Sequence, residues 1–290
     1  MTRPVLSRAT VDRDGLRRDD DVAMAAAWDD AQVLVLDREG RALVDGTDLV
    51  LVAASDAPDG DRLYLGRDGA QAYFAVVGDL PRRLGARAQG LRDVGAVLGD
   101  RDAGLMVHAV GLAAWHALHP RCPRCGGTTT VVRAGSVRRC DVDGSEHFPR
   151  TDPAMIVLVT DGADRAVLGR QEVWPERRFS TLAGFVEPGE SAEQAVVREV
   201  REEASLEVRD VRYRGSQPWP FPASLMLGFR AVCDADAVPV PRDGELAEVR
   251  WFTRAQLRDA GGWSGGPGEV LLPPAVSIAH ALITEWVAEA

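Results

Sequence analysis

Residues 184–206, GFVEPGESAEQAVVREVREEASL, decide how the C-terminal half of this chain is read. Ser191 followed by Gln194 has the spacing of a capping box, which predicts a helix starting at that point. On such a helix Glu199, Glu202 and Glu203 stand at i, i+3 and i+4, so three carboxylates share one face. Like charges stacked in this way repel, and the face costs stability unless a cation fills it. Hard divalent cations such as Mg²⁺ take oxygen ligands and commonly bridge carboxylates to phosphate. A solvated Glu/Arg helix surface is the bland alternative. It leaves the glycine-rich approach and the positions of Glu190 and Arg198 without a reason.

The chain around that stretch has 290 residues and a net charge of −10, with ordinary apolar and charged fractions for a globular protein. That length predicts two domains and a small insert. The acidic balance argues against a dedicated nucleic-acid binder. There is no Lys and no Asn, which we read as codon bias. The N-terminal MTRPVLSRATVDRDGLRRDDD lacks the apolar core of a signal peptide. The apolar run 107–118 is interrupted by His and too short to span a bilayer, so no membrane association is expected. Four cysteines, two of them in Cys-x-x-Cys, fit a reduced cytoplasm and metal binding better than disulfides.

Short β-like runs at 31–37, 48–54, 61–66 and 71–77 alternate with Asp/Gly turns and predict a meander. Helical spacing follows over 87–118, broken near Gly99 and Asp100. His108, His116 and His119 lie there without acidic neighbours in sequence and are read as packing or surface residues. This gives an N-terminal β-rich plus helical domain over 1–118. Next comes Cys122-Pro-Arg-Cys125-Gly-Gly, with Cys140 beyond a Thr/Val/Arg hairpin, the pattern of a zinc ribbon over 119–150. A second Cys-x-x-Cys would place sulfur at 143, where Asp143 stands. The fourth ligand of a structural Zn²⁺ is therefore His147 or Asp143. Imidazole is the more usual partner of three thiolates, so the expected set is Cys122, Cys125, Cys140 and His147. Cys233 reads as a buried apolar residue.

A third domain occupies 151–290. Strands are expected at 154–160, 166–171, 206–215, 223–233 and 248–252, with a C-terminal helix from about Pro274. Strands that flank helices without strict alternation suggest a mixed sheet sandwiched by helices, an α+β (α/β/α) class. The stretch 216–224, SQPWPFPAS, has three prolines in five residues and is neither a central strand nor a helix interior. Its stiff backbone either displays Trp219 and Phe221 as a shelf for a flat ring or carries aromatics that cap the core.

The pattern Gly184, Glu190, Arg198, Glu199, Val200, Glu202, Glu203 and Leu206 resembles the Nudix box of hydrolases that split a nucleoside diphosphate linked to another group. One position departs: Ser205 stands where the family usually has Gly. SQPWPFPAS downstream resembles the signature of the NAD(H) pyrophosphatase (NudC-type) branch. That branch has an N-terminal domain, a zinc ribbon and a Nudix domain in this order, and the likeness is specific from about Cys122 onward. It implies hydrolysis of NADH or NAD⁺ to nicotinamide mononucleotide and AMP, in some members removal of NAD caps from RNA 5′ ends, a need for Mg²⁺ or Mn²⁺, and a homodimer. It also implies that Glu199, Glu202 and Glu203 are metal ligands, with Glu203 doubling as base. Glu245, with Glu248 as the fallback register, would hold a metal near the diphosphate. Phe185 would stack on a ring, and Phe148 would be supplied by the partner chain. Gln217, Trp219 and Ser224 would contact the nucleotide, and Ala279 would offer a backbone contact. Arg198 is read as structural, paired with Glu190. Arg121, Arg124, Arg133, Arg138, Arg139 and Arg150 crowd the ribbon, either to guide an RNA 5′ end or as a solvated basic face.

Overall fold

The computed structural model describes residues 3–242, 244–266, 268 and 270–289. The chain divides into two compact units. One comprises Arg8–Thr151 and Trp219–Ala223. The other comprises the segment ending at Ser7, Asp152–Pro218, and Ser224 to the C-terminus.

The first unit opens with α1 (Asp21–Asp29), whose N-cap Asp20 accepts the Ala23 N–H. Seven strands follow: β1 (Gln32–Leu36), β2 (Ala42–Asp45), β3 (Asp48–Leu49), β4 (Leu51–Ala53), β5 (Leu63–Asp68), β6 (Gln71–Val77) and β7 (Arg87–Gln89). They form one sheet, five of them in the order β3-β2-β1-β6-β5, with β4 paired to β1 and β7 to β2 off that path. The expected meander does not form. β1 pairs parallel with β6, Gln32 opposite Tyr73, while β2 and β4 meet it antiparallel. The reason lies in β1 itself: QVLVL is buried at four of its five positions, the mark of a central strand covered on both faces. The helical region begins later than its spacing predicts, with 87–89 in a strand. It then runs as α2 (Leu91–Val94) and α3 (Asp100–Leu118), divided at Gly99. Asp100 and Asp102 in the first turn of α3 suit the positive end of the helix. Buried Asp102 also accepts the Leu49 N–H at 2.9 Å. His108, His116 and His119 turn a ring nitrogen to the carbonyls of Leu65, Gly135 and Trp115, and burial pushes the His108 pKa down to about 3. These are packing histidines.

The same unit carries a three-stranded ribbon, β8 (Thr129–Val132), β9 (Val137–Cys140) and β10 (Glu146–His147), ordered β10-β9-β8. Arg138 is buried within it. Its Nε donates to Thr129 Oγ1 at 2.7 Å and its Nη2 to Thr129 O at 2.8 Å, while Nη1 meets His116 Nδ1 at 3.0 Å.

In the second unit, β11 (Asp152–Thr160), β12 (Arg165–Gln171), β13 (Leu182–Phe185), β14 (Arg209–Trp219), β15 (Ser224–Val232) and β16 (Leu246–Thr253) make a six-stranded mixed sheet. Trp219 alone of β14 is counted with the first unit. β11 and β15 run parallel from Asp152 opposite Ser224 to Thr160 opposite Val232; β12, β13 and β16 join antiparallel. Strand alternation explains the layers. Met155, Val157 and Val159 face one core with Val196 and Val200 of α4 (Ala192–Ala204). Ile156 and Leu158 face the other, which includes Leu257 of the short α5 (Arg254–Arg258) and Leu282, Ile283 and Trp286 of α6 (Ile278–Ala288). Helices therefore cover both faces of the sheet, the α/β/α arrangement expected from the sequence. Ser216, Gln217 and Pro218 extend β14, which is an edge strand, the place in a sheet where proline is tolerated. Among the described residues no helix is long and apolar enough to cross a membrane.

Candidate active site and zinc site

Helix α4 starts at the capping box that its sequence predicts, Ser191 Oγ accepting the Gln194 N–H and Gln194 Oε1 accepting the Ser191 N–H. Ala195, Val196, Val200 and Ala204 seat it on the sheet, and Glu199 and Glu203 turn toward β13. A methyl group at Gly184 would lie 2.0 Å from the Glu199 carboxyl carbon, so only glycine lets this carboxylate rest against the strand. Two turns of chain thus share one requirement: Glu199 fits because residue 184 has no side chain. Glu203 is 4% exposed and its Oε2 accepts the Ala183 N–H at 3.2 Å. Glu202 remains half exposed.

Arg198 does more than pair with Glu190. Its Nε and Nη2 donate to the two Glu190 oxygens at 2.9 Å each, and Nη2 also donates to Phe185 O at 2.9 Å. Nη1 reaches Glu199 Oε1 at 2.9 Å and Glu202 Oε2 at 3.0 Å. The guanidinium is the cation that the stacked carboxylates need. Its bonds hold the Glu190 carboxyl below the usual range. Burial pushes Glu199 up despite Arg198, and the charges of Glu202 and Glu245 act in the same direction. Glu245 is therefore electrically part of this site. Glu248, the fallback, is engaged elsewhere, by Arg170 and Arg250 at 3.4 Å each.

In the ribbon the sulfurs of Cys122, Cys125 and Cys140 and a carboxylate oxygen of Asp143 lie within 4.8 Å of one another. His147, the expected fourth ligand, is outside that group and meets Cys122 Sγ at 3.3 Å. Cys125 and Cys140 sulfurs are 3.4 Å apart. A closed set of three thiolates and one further donor is the chemistry of structural zinc. Cys233 is buried in the second unit's core, and burial pushes its thiol up to about 11.

Residues 150–271 match the NUDIX domain family, residues 22–115 the NADH pyrophosphatase-like rudimentary NUDIX domain, and residues 117–148 the NADH pyrophosphatase zinc ribbon domain. The chain is 46% identical over 297 aligned residues to the NAD-capped RNA hydrolase NudC of Mycobacterium bovis, covering 98% of this chain and 95% of that protein. The chain belongs to the NudC-type Nudix hydrolases. Human NAD-capped RNA hydrolase NUDT12 is a more distant relative, 38% identical over 200 residues, 66% of this chain and 43% of its own length. A solved NUDIX hydrolase from Nitrosomonas europaea is 21% identical with a TM-score of 0.46, covering 58% of this chain and 90% of its own.

The other residues singled out for this NudC-type chain fall into three groups. Phe148 and Phe185 hold their rings in solvent, 59% and 58% exposed. Gln217 and Ala279 point inward instead. Gln217 is fully buried and its Nε2 donates to Val276 O at 3.1 Å; Ala279 is core, its N–H taken by the Ser277 cap. Ser224 is half-buried at the start of β15, opposite Asp152. Trp219 packs edge-on to Phe221 with centroids 5.0 Å apart. Arg92 of α2 lies over both rings, 4.2 Å from Phe221 and 5.2 Å from Trp219. Nothing in the local sequence of Arg92 signals that contact, because its partners are more than a hundred positions away.

Proposed function

We propose that this chain hydrolyses the pyrophosphate bond of NADH and NAD⁺, releasing nicotinamide mononucleotide and AMP, and cuts the same bond where NAD caps an RNA 5′ end. The reading rests most on the α4 carboxylates packed against the β13 backbone, in a chain alike over nearly its whole length to a NAD-capped RNA hydrolase. Glu199, Glu202, Glu203 and Glu245 offer oxygen donors only, the set that suits Mg²⁺ or Mn²⁺. Such ions, when bound, neutralise the pyrophosphate oxygens and lower the pKa of water. Glu203 takes the proton of the water that attacks phosphorus as the bridging P–O bond breaks. Its burial and the Ala183 N–H fix the carboxylate for that task. Arg198 keeps its fork on Glu190; Glu199 and Glu202, which its Nη1 now contacts, are carboxylates that would hold a divalent ion.

The exposed rings of Phe185 and Phe148 stack on the substrate's bases, Phe148 from the partner of a homodimer. Trp219 and Ser224 complete the nucleotide contacts. Gln217 and Ala279 act through the backbone they hold, since both side chains are buried. Zinc is structural, and the protein works in the cytoplasm. Glu203→Gln keeps a hydrogen-bond acceptor for Ala183 and loses the base. AMP release from NADH then falls by roughly 10²–10⁴-fold, with the thermal midpoint and zinc content unchanged. Near wild-type turnover would sink the assignment. Sedimentation of the same preparation tests the dimer; a monomer under all conditions of full activity would remove that part of the proposal.

A further inference from the structure

Three cysteines leave one zinc ligand open, and the geometry points to Asp143, bound through Oδ2, with Ser145 as the residue that orients it. The inference rests on the zinc-ribbon match and is independent of the hydrolase chemistry. Its basis is the two ends of the Asp143 carboxylate. Oδ1 is held by Ser145, which donates its N–H at 2.9 Å and its hydroxyl at 2.5 Å. Oδ2 is left on the cysteine side, 3.8 Å from Cys122 Sγ. One oxygen is anchored and the other is presented, as a monodentate ligand requires. Zinc–sulfur and zinc–oxygen bonds of about 2.3 and about 2.0–2.2 Å span a tetrahedron that fits donors within 4.8 Å of one another.

The surroundings treat Cys122 and Cys140 as acceptors. The Arg124 N–H points to Cys122 Sγ, and the Val142 and Asp143 N–H groups point to Cys140 Sγ, each at 3.4 Å. His147 belongs to that supporting layer. Its Nε2 meets Ser145 Oγ at 3.1 Å and Cys122 Sγ at 3.3 Å, so it steadies the hydroxyl that steadies Asp143. Asp143 and Cys125 are exposed whereas Cys122 and Cys140 are buried, so a competing chelator approaches from the side of the carboxylate and Cys125. Asp143→Cys would rebuild a second Cys-x-x-Cys and close the Asp143 vertex with sulfur.

The test uses the full chain loaded with zinc. X-ray absorption at the zinc edge should show three sulfurs and one light atom, without the outer-shell scattering of an imidazole ring. Zinc transfer to excess EDTA should quicken by about 100-fold in Asp143→Ala and about 10-fold in Ser145→Ala. It should change less in His147→Gln than in Ser145→Ala, because His147 touches the anchoring hydroxyl and not the Asp143 carboxylate itself. Asp143→Cys should release zinc more slowly than the wild type. Should Asp143→Ala fail to fold, Asp143→Asn keeps the shape and reports the loss of the charged donor. An imidazole signature in the wild type overturns the inference. So does zinc retention unchanged in both Asp143→Ala and Asp143→Asn, or release from His147→Gln as fast as from Asp143→Ala.

Discussion

Ser205 stands at φ 56°, ψ 30°, the left-handed position that closes α4. A residue with a Cβ gives up roughly 1 kcal/mol there relative to glycine. Its hydroxyl, however, donates to Val240 O at 3.0 Å, and such a bond contributes about 0.5–1.5 kcal/mol. The two effects nearly cancel, which is how the chain tolerates a residue other than the family's usual glycine. Ser205→Gly should shift the urea-unfolding free energy by less than about 0.5 kcal/mol. Ser205→Ala keeps the strain and loses the bond, so it should destabilise by about 0.5–1.5 kcal/mol. Equal stability of the alanine variant and the wild type would show that the Val240 bond contributes nothing. Turnover should not change in either, because neither removes a carboxylate.

At the scale of elements, α4 carries two opposed titrations. Glu190 is held low by Arg198, so its stabilisation is present above the unfolded carboxylate pKa and is lost as pH falls through the folded value. Glu199 is pushed up by burial, so the native state holds its proton longer than the unfolded chain does. The stabilisation from that proton is present at acid pH and is lost as pH rises through the raised folded value. At neutral pH, without divalent metal, the charged Glu199 is therefore a burden on the fold. Glu199→Gln should melt higher than the wild type at neutral pH in EDTA, and the advantage should vanish below the carboxylate range. Hydrolysis by this variant should be lost at every pH. A variant that melts lower at neutral pH would mean that the bond from Arg198 outweighs burial.

For the whole molecule, charge decides how strongly an RNA tail is held. The net charge is −10, and three of the six arginines that crowd the ribbon are engaged within it. Arg133 pairs with Asp19 and Glu146, Arg139 pairs with Glu146, and Arg138 is buried. Binding through phosphates would give a salt slope of about −0.7 per single-strand phosphate contacted. With these arginines engaged, rates on NADH and on NAD-capped RNA should decline in parallel as salt is raised. A steep fall for the RNA alone would show that the ribbon grips the transcript.

Features encoded within a few residues were legible in the sequence: the Ser191 cap, the carboxylate face of α4, the Cys-x-x-Cys knuckle and the α/β/α layering carried by strand alternation. These depend on helical and strand periods, which act over three or four positions. The parallel partner of β1, the second role of Arg198, the link from Glu245 to Glu199 and the contact of Arg92 with Phe221 came only from the tertiary structure. So did the reason for Gly184, whose missing side chain is demanded by a carboxylate fifteen positions later. Sequence by itself determined which donors this chain owns. Only the packed sheet decided which of them meet, because contacts between distant segments are set by strand order and by space left against a neighbouring backbone.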